Sequence, residues 1–279
     1  MEDSSSWTGS SWRLIGALSR MQEREMLHTE TPPIVVLIPS ADGDLIPGLR
    51  RRHAEYGDIT LPFSQAHGEF VATKLHPYIM NRFRVMEGPE HASTIGSSLG
   101  GQASLQLVLR YPTLFGNVAM LSPCFQAGTI AAVMANLVTP GVFSAGKDSS
   151  NDLRDMSILL SNDENSHSNK STQRKNHKSL HSKRIYLDNG GDHDESRVPM
   201  FDVMDHFTMN DRWWNPGYFW LDTHLQPTID AVRWALDRGG VDYRYEKYPG
   251  GRHNERGWAQ RIHRPLLHLY GKKQRERLC

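Results

Sequence analysis

A serine set between glycines is where chemistry could begin in this chain. Gly96-Ser97-Ser98-Leu99-Gly100 fits the pattern G-x-S-x-G with Ser98 at its centre. In that pattern, a nucleophile elbow, a buried strand turns sharply into a helix and the serine at the bend takes strained dihedrals. The flanking glycines are expected because a Cβ there would meet the incoming strand or the outgoing helix. The pentapeptide alone is weak in a chain with 23 glycines, so its flanks must carry the reading.

A serine hydroxyl is a poor nucleophile until a base takes its proton, and the base needs an orienting carboxylate. His253 has the best position of the 14 histidines. It lies in Tyr248-Pro249-Gly250-Gly251-Arg252-His253-Asn254-Glu255, a loop whose glycines let the chain curl back over the bend. His263 and His268 fall inside a helical pattern and are read as packing or solvent-facing. Chain order places the acid between Ser98 and His253, after the strand at Arg184 to Asp188. Asp192, Asp194, Glu195 and Asp222 qualify, with Asp222 narrowly preferred over Asp194. Asp188 is expected to point along its strand and cap the Gly190-Gly191 turn. For an oxyanion hole, the Leu99 amide supplies one donor, and by elimination Ser40-Ala41-Asp42-Gly43-Asp44 supplies the other.

A different chemistry is open to Asp192-His193-Asp194-Glu195 with His206, since mixed carboxylate and imidazole ligands suit zinc or manganese. No helical or strand spacing fixes those residues on one face, and the serine chemistry needs no metal and no organic cofactor. His167, His177 and His181 are irregularly spaced in a polar tract and read as solvated.

These residues need elements to position them. His91 to Ile95 reads as a short strand, Ala103 to Leu109 as an apolar helix that Tyr111-Pro112 ends, and Val118 to Pro123 as the next buried strand. Upstream, residues 12 to 28 suggest an amphipathic helix and Phe70 to Phe83 another. Between them Ile34-Val35-Val36-Leu37-Ile38-Pro39 is a continuous apolar run, expected to be a parallel strand buried on both faces. Residues 146–183 are crowded with polar side chains and cannot bury enough area to offset ordering entropy, so they are read as a disordered insertion. Residues 193–220 form an aromatic-rich extra loop. Leu225 to Arg238 reads as a helix with Pro227 in its first turn and Gly239-Gly240 at its end. Val241 to Tyr248 reads as a strand, and Trp258 to Tyr270 as the closing helix. Alternating strands and helices predict a single α/β domain with a doubly covered, mostly parallel sheet.

Bulk properties narrow the partners. Thirty-two Lys and Arg against 31 Asp and Glu give a net charge of +1, a field that favours neither nucleic acid nor an anionic membrane. Cys124 and Cys279, the 2 cysteines, cannot form a disulfide framework. No run is long enough to span a bilayer. The polar, acidic start Met1-Glu2-Asp3 is unlike a secretory signal, so a cytoplasmic protein is expected.

Several stretches together resemble the esterase D or enterochelin-esterase-like branch of the α/β hydrolases. They are Ile95 to Gly101, Tyr111-Pro112-Thr113-Leu114-Phe115-Gly116, Leu121-Ser122-Pro123, Ile185 to Gly191, Leu225-Gln226-Pro227, and Gly251-Arg252-His253-Asn254-Glu255 with Trp258. The resemblance spans roughly residues 32 to 271 and implies a three-layer α/β-hydrolase sandwich. It implies a serine carboxylester hydrolase acting through an acyl-enzyme on a small-molecule or glycan-linked ester. Ser98 would be nucleophile and His253 base, and the acid maps onto Asp222 of Leu221-Asp222-Thr223-His224-Leu225-Gln226-Pro227. The same machinery could pass the acyl group to an alcohol, as in the related mycolyltransferases. The family usually begins with further strands and a His-Asp-Gly-type loop. Their absence before Trp12 makes the chain look N-terminally truncated, without edge strands, with the alternatives of a catalytically impaired binding protein and of an export signal lost with the missing segment.

Overall fold

The computed structural model describes residues 12–29, 32–40, 43–47, 49–138, 180–190, 217–248, 253 and 255–272. Its centre is a parallel sheet of β3 (Ser93–Ser97), β4 (Asn117–Leu121), β5 (Arg184–Asn189) and β6 (Arg244–Lys247), adjacent in that order. Ile95 lies beside Ala119, Ala119 beside Tyr186, and Tyr186 beside Arg244. Parallel neighbours need a crossover. α5 (Leu99–Arg110) provides it between β3 and β4, while α6 (Ala127–Val138) follows β4 and α7 (Gly217–Arg238) precedes β6.

Helices cover both faces of the sheet. Val118, Met120, Ile185 and Leu187 pack with Leu105 and Val108 of α5, Val133 of α6, and Ile229, Val232 and Leu236 of α7. Ala119, Leu121 and Tyr186 face the other way. There they meet α1 (Leu14–Glu23), α8 (Glu255–Arg261) and α9 (His263–Tyr270) through Leu18, Met21, Trp258, Ile262, Leu266 and Leu269. This two-sided burial explains why β4 is apolar at successive positions instead of alternating. The architecture is the expected α/β three-layer sandwich around a parallel sheet.

Before the sheet, β1 (Asp44–Ile46) and β2 (Leu49–Arg50) make an antiparallel hairpin, followed by α2 (Arg51–Glu55), α3 (Pro62–Phe70) and α4 (His76–Arg82). A π-helical turn, Val71–Leu75, joins the last two, so helical structure begins well before the expected Phe70.

Four expectations change. Ile34 to Pro39 belongs to no strand, and Leu37 is 75% exposed with Ile34, Val35 and Val36 also open to solvent. Apolarity marks a segment that water disfavours, but a strand also needs a ladder partner. Among the described residues none pairs with this run, which is bounded by Pro33 and Pro39, whose nitrogens cannot donate. Second, α7 starts at Gly217, not Leu225, and Pro227 lies inside it. Third, the closing helix is two helices that meet at Ile262, φ −55° and ψ −27°. Pro265 explains the break, because it has no N–H for the Arg261 carbonyl four residues earlier. Fourth, α6 had no counterpart in the periodicity reading. Of the polar tract, Leu180–Lys183 is described as a turn with Leu180 buried; the rest, and 193–216 of the aromatic loop, lie outside the described residues.

Candidate active site

Ser98 stands between β3 and α5 with φ 54° and ψ −128°. A side-chain-bearing residue there is strained by about 1–3 kcal/mol, so the surroundings must hold it. They do so through its own peptide. The Ser98 N–H donates to the Leu121 carbonyl at 3.1 Å, and its carbonyl accepts the N–H groups of Cys124 at 3.0 Å and Gly101 at 3.0 Å. The segment leaving β4 thus clasps the bend from both sides.

The two glycines of the pentapeptide play different parts. A Cβ on Gly96 would sit 2.1 Å from the Gly100 carbonyl oxygen, whereas one on Gly100 would meet nothing within 4 Å. The tight position after the serine is Gly101, where a Cβ would lie 3.0 Å from Pro123 Cβ. The expected clash at Gly100 is therefore overturned: the helix turns away from the strand there, and it is the next residue that rests against the β4 exit. Leu99 and Gly100 open α5, so their amides have no intrahelical acceptor. Of the other proposed oxyanion loop, Ala41 and Asp42 lie outside the described residues.

Because all four strands run parallel, the segments after β3, β4, β5 and β6 emerge at one edge. Ser98, Ser122 and Gly190 belong to that edge, and His253 follows β6 in the chain. His253 is buried, 3% exposed, and its ring meets Trp258 of α8 edge to face, centroids 5.2 Å apart at 75°. Trp258 packs in turn on Trp12 at 5.9 Å. Asp222 lies in α7, one helical turn before Gln226, and Gln226 Oε1 accepts a 2.7 Å hydrogen bond from Asn189 Nδ2 at the end of β5. Asp192, Asp194, Glu195 and His206 lie outside the described residues. His181 hydrogen bonds the Gly239 carbonyl at 2.7 Å, and no cluster of metal-ligating side chains occurs among the described residues.

Beyond the expected turn, whose Gly191 lies outside the described residues, Asp188 has an ionic partner. It is fully buried and paired with fully buried Arg261, Nε to Oδ2 3.2 Å. Its Oδ1 accepts the Ser122 N–H at 3.1 Å and its Oδ2 the Tyr186 hydroxyl at 3.2 Å. Burial, reinforced by the carboxylates of Asp188 and Glu246, pushes the Tyr186 phenol far up, so it stays a neutral donor. Arg261 was missed in the sequence reading. The signal existed: it adjoins the apolar line Trp258, Ile262, Leu266, Leu269, where a cation needs a buried partner. Burial also raises the Cys124 thiol, which leaves it protonated beside Ser98.

Comparison with known proteins follows this geometry. The chain is 28% identical over 120 residues to the uncharacterized protein YjcH of Bacillus subtilis strain 168, covering 43% of this chain and 47% of that protein. The chain thus spans about half the length of this curated relative. Among solved structures, a ferulic acid esterase aligns with TM-score 0.44 and 15% identity over 73% of this chain and 60% of that one. The siderophore hydrolase EstB from Aspergillus nidulans aligns with TM-score 0.35 and 14% identity over 76% and 64%. The family described as "Putative esterase" matches residues 9–269. That match takes in β3, the Ser98 bend and His253, and the chain belongs to this esterase family.

Proposed function

We propose that this protein is a serine carboxylester hydrolase that works through an acyl-enzyme. The observation carrying the reading is the backbone of Ser98, held at φ 54° and ψ −128° at the turn of a buried parallel strand into a helix. That strained corner puts a hydroxyl at the sheet edge, above a helix whose first amides are unclaimed. Family membership supports ester cleavage as the reaction class.

In this mechanism the Ser98 hydroxyl adds to the ester carbonyl as His253 takes its proton, and the Leu99 amide binds the developing oxyanion. Collapse expels the alcohol, which receives the proton from His253. Water activated by the same imidazole then releases the acid and frees Ser98. Asp222 orients His253. Its support is topological: Gln226 ties α7 to the end of β5, and Asp222 sits ~6 Å further along the helix axis. The substrate is a small-molecule or glycan-linked ester.

Fluorophosphonate labelling of the purified protein beside Ser98→Ala, followed by hydrolysis of p-nitrophenyl acetate, tests this. Labelling and turnover that vanish in the variant are expected. A folded protein that never labels would overturn the reading.

A further inference from the structure

We infer that Arg261 is a positioning residue for this site, setting the distance between the Ser98 bend and His253. The inference rests on the proposed roles of Ser98 and His253. Arg261 is a cation with no exposed surface, at the end of α8. Its Nη2 donates to Ser122 Oγ at 2.7 Å and its Nε pairs with Asp188 Oδ2 at 3.2 Å. The same Ser122 hydroxyl accepts the Gly190 N–H at 3.2 Å, while the Ser122 N–H donates to the Asp188 carbonyl at 3.0 Å. One guanidinium therefore ties the exits of β4 and β5 together.

Ser122 is the centre of this arrangement, and it is strained: its φ is 41°, a left-handed value at a residue with a side chain. Leu121 just before it and Cys124 two residues after it are those that grip the Ser98 peptide. On the other side, Trp258 carries the His253 ring and lies three residues before Arg261 on the same helix. α8 thus bears on the base through Trp258 and on the nucleophile's clasp through Arg261. Stability alone does not account for the pair, because apolar replacements of a buried ion pair are often neutral or stabilising. The directional bond to Ser122, beside the ion pair with Asp188, fixes a register that apolar packing would leave free. A misplacement of about 1 Å between reacting groups costs about 10²-fold in rate.

The test compares the parent, the double variant Arg261→Met/Asp188→Asn, Arg261→Lys and Ser98→Ala. Each is measured for thermal unfolding and for kcat and KM on p-nitrophenyl acetate. The double variant removes both charges together, so it leaves no orphaned ion. It is expected to unfold near the parent's midpoint, with kcat lower by about 10²-fold and KM nearly unchanged. Arg261→Lys, which keeps the charge but not the two-pronged geometry, is expected to recover only part of kcat. Parental kcat in the folded double variant overturns the inference, as does a rise in KM alone. If that variant does not fold, parental kcat in Arg261→Lys overturns it instead. Turnover that survives Ser98→Ala would sink the underlying site, an outcome distinct from all of these.

Discussion

Strain at Ser98 is tolerable because neighbouring residues have no alternative but to hold it, and the glycines show how. Gly96 leaves no room for a methyl group against the Gly100 carbonyl, while Gly100 faces open space. Gly96→Ala is therefore expected to destroy fluorophosphonate labelling and to lower the unfolding midpoint, since backbone must move to admit the Cβ. Gly100→Ala is expected to fold at least as well as the parent, gaining up to ~1 kcal/mol of helix propensity; chemical denaturation checks both. A Gly100→Ala protein that unfolds as readily as Gly96→Ala would contradict the geometry. At this scale the chain was largely legible: Ser98, its strand and its helix follow from spacing and apolar runs. The partner of Asp188 was not, because a carboxylate at a strand end looks the same in sequence with or without an arginine 73 positions away to meet it.

Helices here are held by specific ends as much as by apolar faces. The start of α6 is capped from a distance: Asp58, from the segment after α2, accepts the Gly128 N–H in its Oδ2 at 2.7 Å. The same carboxylate takes the Thr60 N–H at 3.0 Å and the Thr60 hydroxyl at 2.8 Å. Asp58→Ala is expected to cost about 1 kcal/mol through the lost cap, measured by denaturant unfolding, without changing labelling of Ser98. α5 is tied to the same region by buried glutamines, Gln106 donating to the Gly57 carbonyl at 2.8 Å and Gln102 at 3.0 Å. Gln106→Leu, which leaves the Gly57 carbonyl and the Ser64 hydroxyl with one partner fewer, is expected to destabilise by ~1–3 kcal/mol. Such ties explain why α6 escaped a reading based on periodicity. Its apolar residues run almost without interruption, and its cap comes from 70 residues upstream. The same limit applied to Ile34 to Pro39, where composition could announce apolar character but not a pairing partner.

Some carboxylates of the sandwich stand half-buried among donors and cations, which makes its stability depend on pH. Burial works against ionisation of Glu246, but Arg264 and Arg244 beside it outweigh this and hold its carboxyl below the usual range. Asp58 is lowered as well, its burial outweighed by the Thr60 and Gly128 donors. A carboxyl whose folded value lies below its unfolded one binds its proton more weakly in the native state, so stability rises with pH across that window. The contribution is complete above the ordinary values of ~3.9 and ~4.3 and is lost as pH falls through the lowered ones. Thermal unfolding between about pH 6 and about pH 3 is expected to show a shallower acid limb in Glu246→Gln than in the parent. Across the molecule, sequence by itself determined the alternation of strands and helices, the serine at its bend and the histidine loop after the last strand. These are local: periodicity, glycine and proline act within a few residues. Tertiary structure alone decided which apolar run joins the sheet, which glycine is sterically required, and that Arg261, Asp188 and Ser122 share one buried site. Those depend on which distant segments meet, and a buried charge takes its partner from whatever the fold brings within about 3 Å.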